Sequence, residues 1–173
     1  MEIIQCTYES HAGQILEILN EAIVSCTALY DYNRRSPESM VGWFQEKEKS
    51  NFPVIGLEDS NGSLAGFASY GQFRAWPAYK YTVEHSVYVR NDVRATGLGT
   101  MLLNALIERA QDQGYHVMVG GVDRSNESSV KLHTKLGFIH AGTLNEVGFK
   151  FGTWLNLSFY VLALPTPASP TDG

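Results

Sequence analysis

Between Tyr81 and Gln113 the chain strings a carboxylate, an imidazole and two closely spaced glycines along one strand, one loop and one helix. The segment Tyr81-Thr-Val-Glu-His-Ser-Val-Tyr-Val89 is β-branched and aromatic and reads as a strand. Val83, His85, Val87 and Val89 share one face, and Thr82, Glu84, Ser86 and Tyr88 the other. A loop from Arg90 to Gly99 follows, then Leu102, Leu103, Leu106, Ile107 and Ala110 at helical spacing, with Gly114 as the stop. A strand that feeds a glycine loop into a helix N-terminus makes a phosphate cradle. Gly97 and Gly99 let the backbone come close, and the first-turn N–H groups are unpaired at the positive end of the dipole. No Gly-Lys-Ser/Thr follows, and Leu102 stands where a dinucleotide fingerprint needs its third glycine, so both nucleotide motifs fail. Glu84, in mid-strand, is poorly placed unless it is paired or functional. No convincing Ser-His-Asp or Cys-His set is present, and no histidine/acid pair has ligand spacing on one helix face, so no metal is expected.

The rest of the composition narrows the class. A chain of 173 residues with 44% hydrophobic and 18% charged content reads as one soluble domain with a core of two or three layers. The 13 basic and 18 acidic residues give a net charge of −5, and with no basic cluster this argues against a nucleic-acid surface. No apolar run approaches the ~20 residues of a membrane span, and the first residues do not read as a signal peptide. Cys6 and Cys26 are too few for a disulfide scaffold and read as reduced thiols, which fits a cytoplasmic protein.

The elements that must position these residues can be read in order. Glu2–Thr7 is a short strand, and Ser10 is the expected N-cap of a helix whose Ile15, Ile18, Leu19, Ala22 and Ile23 form one stripe. Residues 25–32 either extend that helix or cross to a second one. Ser36-Pro37 opens a helix carrying Met40, Trp43 and Phe44 inward. Pro53–Asp59 and Leu64–Arg74 are strands joined at an Asn61-Gly62 turn. After the cradle come a strand from His116 to Val122, a short helix bearing Val130, Leu132 and Leu136, a strand from Phe138 to Val147, a loop Gly148–Gly152, and a last strand Trp154–Leu164. The expected order is βααββ–βαβαββ, a mixed α/β sheet with a helix crossover on each side. The expected domain spans residues 1–164, and 165–173, with three prolines, is a flexible tail.

Read as Arg-x-x-Gly-x-Gly, Arg94–Gly99 resembles the pyrophosphate-binding motif of the GCN5-related N-acetyltransferase (GNAT) superfamily, and the element order resembles its three-layer acyl-CoA N-acyltransferase fold. Asn126-x-x-Ser129-x-x-x-His133-x-x-x-Gly137-Phe138 is similar to that family's later Asn…Tyr…Gly-Phe segment, with His133 in the tyrosine position. Thr82–Val89, Leu132-His133 and Val147–Trp154 resemble the phosphinothricin and methionine sulfoximine acetyltransferase branch across nearly the whole domain. One departure is Ala95-Thr96, where the family commonly has glycine and a basic residue. The resemblance implies acetyl-CoA as cosubstrate, an α-amino group of a small amino acid or analogue as acceptor, and a homodimer.

It also implies roles. Glu84 is the candidate general base, directly or through one water, and His133 the candidate for protonating the departing thiolate or assisting the base. Tyr88 is an alternative donor. His85 reads more naturally as a packed core histidine, although it lies beside the acceptor site. Arg74, between Phe73 and Trp76, is the candidate grip on a substrate carboxylate. Phe73, Ala75, Val83, Thr27, Tyr30 and Lys150 are further acceptor-site candidates. Ser86, Val87, Tyr88 and Val89 would run beside pantetheine; Arg94, Ala95, Thr96, Gly97, Leu98 and Gly99 would hold the diphosphate; and Asn126 and Ser129 the arm. Competing readings are an acetyltransferase for an aminoglycoside or polyamine, a non-catalytic acyl-CoA sensor and, last, a nucleotide-binding regulator.

Overall fold

In the computed structural model, which describes residues 1–172, the chain forms seven strands and four α-helices. The strands are β1 (Glu2–Gln5), β2 (Val54–Glu58), β3 (Leu64–Gln72), β4 (Thr82–Val89), β5 (Val117–Asp123), β6 (Ile139–Lys150) and β7 (Thr153–Ala163). The helices are α1 (Tyr8–Ser25), α2 (Pro37–Lys49), α3 (Leu98–Asp112) and α4 (Glu127–Lys135). One mixed sheet has the order β1-β2-β3-β4-β5-β7-β6. β4 runs parallel to β5, whereas β1–β2, β2–β3, β5–β7 and β6–β7 are antiparallel. This is the mixed α/β order expected from the sequence.

The chain resolves into two compact units: Met1–Ser69 with Ser86–Leu106, and Tyr70–His85 with Ile107 to the C-terminus. In the first, α1 buries Ile15, Ile18, Leu19, Ala22 and Ile23, the stripe its spacing prescribes. Met40 and Phe44 of α2 join Ile15, Leu19, Leu64 and Phe67 in one apolar cluster, with Tyr88 packed against it. The N-cap of α1 is Thr7 rather than Ser10. The Thr7 hydroxyl accepts the Ser10 N–H at 3.3 Å, so the helix begins three residues early. The helix stops at Ser25 because Cys26 is extended, with φ −153°, and residues 26–36 form no helix. Asp59 accepts the backbone N–H groups of Asn61 and Ser63 and so shapes the turn at Gly62.

In the second unit β5 lies antiparallel to β7, with Met118, Val119, Val122, Phe138 and Leu155 buried. The expected Gly148–Gly152 loop is shorter than foreseen. β6 continues to Lys150, which pairs with Thr153, and Phe151 and Gly152 turn the chain with φ of 52° and 74°. Two successive positive φ values make the compact type I′ hairpin, whose twist matches the strands it joins. Beyond β7, Leu164 N–H bonds to His116 O, and Thr171 N–H to the Tyr81 hydroxyl, so this segment is tied back at both points.

Candidate active site

The cradle belongs to the first unit. After β4 a single 3₁₀ turn, Asn91–Val93, leads to Arg94, Ala95, Thr96 and Gly97, and α3 begins at Leu98. Gly97 has φ +88°, the left-handed region where glycine carries no Cβ penalty. Ala95 also sits there, at φ 62°, without that freedom. The Gly97 carbonyl accepts the N–H groups of Thr100 and Met101, which opens α3 and leaves its earliest N–H groups without helical partners. Thr96 Oγ1 donates to Val93 O at 2.6 Å, and Arg94 Nε donates to Val89 O at 3.0 Å. Arg94, Ala95, Thr96 and Gly97 are exposed. The Arg94 guanidinium is therefore anchored through one nitrogen beside an open loop, as an anion-binding arginine requires.

Strand β4 carries the remaining groups. Ser86 is exposed, and Val87, Tyr88 and Val89 are half-buried. Tyr88 packs on Phe67, ring centroids 5.3 Å apart, and burial pushes its hydroxyl pKa up. Its ring is a core element more than a pocket wall. Gly66 of β3 carries no signal in the sequence pattern, yet a Cβ there would lie 2.5 Å from Tyr88 O and 3.1 Å from Val89 Cα. Only glycine lets β3 approach this end of β4 so closely. Thr27 and Tyr30 lie on the non-helical segment after α1, half-buried and exposed respectively.

In the second unit Glu84 is half-buried. Burial raises its pKa above the ordinary glutamate value, and the positive charge of Arg74 opposes that rise. Arg74 is exposed, its guanidinium 5.0 Å from the Phe73 ring centroid, and Phe73 N–H bonds to Thr82 O. An accessible guanidinium whose charge reaches a half-buried carboxylate suits an amino acid, which offers a carboxylate and an ammonium on one carbon. Ala75 and Trp76 are exposed on the same loop, while Val83 is fully buried and lines no open surface.

His85 and His133 are both buried, at 8% and 3% exposure. Their Nε2 atoms are 3.0 Å apart, and His133 Nδ1 lies 2.7 Å from the Ser129 carbonyl. Of the two roles expected for His133, protonating the thiolate or assisting the base, the second would need it to share a face with Glu84, and it does not. A Cβ on Gly120 would meet both imidazoles, at 2.6 and 2.7 Å, whereas one on Gly121 would meet Glu84 Oε1 at 3.2 Å. Successive residues of a strand face opposite ways, so the histidine pair and the Glu84 carboxylate occupy opposite faces of β5. His85 is the packed core histidine its position suggested. The Gly120-Gly121 pair was overlooked; its signal was two glycines inside an otherwise β-branched strand.

Asn126 is the N-cap of α4, its Oδ1 accepting Ser129 N–H at 3.1 Å and the Ser128 hydroxyl at 2.8 Å. Lys150, an acceptor-site candidate expected on the Gly148–Gly152 loop, ends β6 instead and is buried at 4% exposure, with its ammonium 5.0 Å from the Phe151 ring centroid. Among the described residues no group of three or more His, Cys, Asp or Glu side chains could hold a metal, and no helix is long and apolar enough to cross a membrane.

An anion cradle at a helix N-terminus and a half-buried carboxylate able to take a proton suit acyl transfer from a phosphate-bearing donor. Comparison with known proteins makes this specific. A profile of the acetyltransferase (GNAT) family matches residues 14–138, and the chain belongs to that family. It is an N-acetyltransferase, and the family's acetyl donor is acetyl-CoA. The chain is 43% identical over 157 residues, 90% of its length and 91% of the other's, to an L-methionine sulfoximine/L-methionine sulfone acetyltransferase of Pseudomonas aeruginosa. It is 37% identical, over 94% of both chains, to an L-amino acid N-acyltransferase of Escherichia coli. A phosphinothricin acetyltransferase of Sinorhizobium meliloti, solved with acetyl-CoA, superposes with a TM-score of 0.93 at 29% identity, covering 99% of this chain and 94% of that one.

Proposed function

We propose that the protein transfers the acetyl group of acetyl-CoA directly to the α-amino group of a small amino acid or analogue, with methionine sulfoximine, methionine sulfone and phosphinothricin as the leading acceptors. The observation that carries this reading is the exposed Arg74 guanidinium on the loop that precedes β4, together with the half-buried Glu84 carboxylate on that strand. The names of the relatives support the same acceptor class. Arg74 grips the acceptor carboxylate. Glu84 takes a proton from the ammonium, directly or through one water. The amine then attacks the thioester carbonyl, the N–C bond forms, and the C–S bond breaks as the second proton of the attacking nitrogen passes to the departing thiolate, which leaves as CoA–SH. Holding the two reactants together supplies much of the rate.

The backbone of Val87 and Val89 pairs with the pantetheine arm, one N–H facing the thioester oxygen. Ser86 and Tyr88 flank it. Arg94, Ala95, Thr96, Gly97, Leu98 and Gly99 hold the diphosphate, and Asn126 and Ser129 the arm. Phe73, Ala75, Thr27 and Tyr30 border the acceptor. The unit of action is a single acetyltransferase domain over residues 1–164, working as a cytoplasmic homodimer on small molecules and not on nucleic acid. The β6–β7 hairpin supports the dimer, since Val147, Phe149, Phe151 and Trp154 are 46–59% exposed. Cys6 and Cys26 form no disulfide, in keeping with a reducing compartment.

Incubation with acetyl-CoA and methionine sulfoximine, followed by mass spectrometry, tests the reaction: a gain of one acetyl group on the α-nitrogen is expected. No acetylated product from any carboxylate-bearing amine, beside product from a polyamine or aminoglycoside, would refute it. Sedimentation of wild type and Trp154→Asp tests the dimer. A monomeric wild type would end that part of the proposal.

A further inference from the structure

The hydrogen bonds of His133 and His85 determine where their protons lie. A carbonyl oxygen can only accept, so the 2.7 Å contact with Ser129 O puts a proton on His133 Nδ1. With that ring neutral, its Nε2 is bare and must accept. The 3.0 Å contact then requires the proton on His85 Nε2, which leaves His85 Nδ1 as an acceptor. That atom is buried and has no partner. The alternative, a doubly protonated His133, would bury a charge and turn His85 Nδ1 into a buried N–H with nothing to bond, which is costlier.

The surroundings favour the neutral pair. The ring centroids are 5.0 Å apart with planes 21° from parallel, an arrangement compatible with an edge-on N–H···N bond. Phe138 stands edge-on to both rings, and Tyr160, the titratable neighbour, lies 5.7 Å from His133. Burial pushes the His85 pKa down to about 3, and it lowers that of His133 against the opposing pull of the Ser129 carbonyl. Gly120 leaves the space between the rings that any Cβ would fill.

We propose that His85 and His133 are a tautomer-locked positioning pair: a fixed Ser129 O···H–Nδ1 His133 Nε2···H–Nε2 His85 chain that ties α4 to β4 past Gly120 and so sets the strand from which Glu84 projects on the opposite face. Neither imidazole donates or takes a proton in turnover. The positioning role rests on Glu84 being the base; the tautomers do not.

The test is ¹⁵N NMR of the imidazoles in the full-length protein, beside kinetics of two His85 variants. The account expects His133 protonated at Nδ1 only and His85 at Nε2 only, unchanged between about pH 5 and pH 9. His85→Gln keeps a donor at the ε position, and His85→Leu does not. His85→Leu should lower kcat by about tenfold or more with little change in the KM for acetyl-CoA, and His85→Gln should recover most of that loss. The opposite tautomers, or a His133 ring that titrates in step with the pH limb of kcat/KM, would overturn the proposal. So would equal losses in the two variants. Because the NMR pattern needs no turnover, the expected tautomers in a protein that acetylates no amine would defeat the proposed function and leave the locked pair standing.

Discussion

Gly121 stands directly beside Glu84: a Cβ on Gly121 would lie 3.2 Å from Glu84 Oε1 and 3.4 Å from Leu157 Cδ1. The neighbouring Gly120 clears the same kind of space for the histidine pair, at 2.6 and 2.7 Å. Two adjacent glycines on β5 thus accommodate two adjacent side chains on β4, one on each face. The distances separate the two variants. Gly121→Ala is tight but not a clash, so it should fold with a small loss and act mainly by displacing the carboxylate, lowering kcat/KM by about tenfold. Gly120→Ala drives a methyl into two buried rings and should cost about 1–3 kcal/mol of stability. Urea unfolding of both proteins, with kinetics of Gly121→Ala, checks the contrast; equal stability losses would contradict it.

The pH dependence follows from Glu84 and Arg74. A base must be deprotonated to act, and burial raises the Glu84 pKa while Arg74 lowers it. The acidic limb of kcat/KM should therefore lie above the ordinary glutamate range. Arg74→Ala should move it further up and raise the acceptor KM. Glu84→Gln should lower kcat by about 10²–10⁴ with acetyl-CoA binding retained. Rate–pH profiles and a binding isotherm for acetyl-CoA check all three.

Stability should respond in the opposite sense to activity. A carboxyl group whose pKa is raised by folding favours the protonated form in the native state. Its ionisation cost is absent below the unfolded-state pKa and grows as pH rises through the folded-state pKa. Glu84→Gln should then melt at or above wild type at neutral pH, with the difference vanishing in acid. A lower melting temperature for Glu84→Gln at neutral pH would contradict the burial account.

Ala95 offers a gain of function in the thermodynamic sense. Its φ of 62° costs an L-residue about 1–2 kcal/mol, and glycine gives back about 0.5–1 kcal/mol in unfolded-state entropy. Ala95→Gly should therefore stabilise by up to about 1 kcal/mol. Thermal unfolding of the two proteins is the check, and a lower melting temperature for Ala95→Gly would show that the loop carries no strain.

Much of this arrangement was legible beforehand because local pattern and tertiary packing agree. The α1 stripe and the two faces of β4 follow from spacing alone, whereas residue type does not distinguish Gly97, with its positive φ, from Gly99, which lies within α3. Thr7 displaced Ser10 as the cap because its hydroxyl accepts the N–H of Ser10 itself and so draws Ser10 into the first turn, a choice that sequence spacing alone does not resolve. Phe151 carries a positive φ that glycine or asparagine usually takes, so the hairpin looked like a longer loop. The roles of Gly120 and Gly121, and the separation of His133 from Glu84, depend on the register of β4 against β5, in which Glu84 pairs with Val119. Lys150 is buried at a place where a lone lysine reads as solvated.

The most direct test of the central claim is the ratio of kcat/KM for methionine sulfoximine to that for its carboxamide, measured by CoA thiol release in wild type and in Arg74→Ala. Recognition of the carboxylate by Arg74 predicts a ratio of about tenfold or more in wild type that collapses toward one in the variant. An equal preference for both compounds in wild type, or a ratio unchanged by Arg74→Ala, would contradict the assignment of this protein's acceptor site to amino-acid-like amines gripped by Arg74.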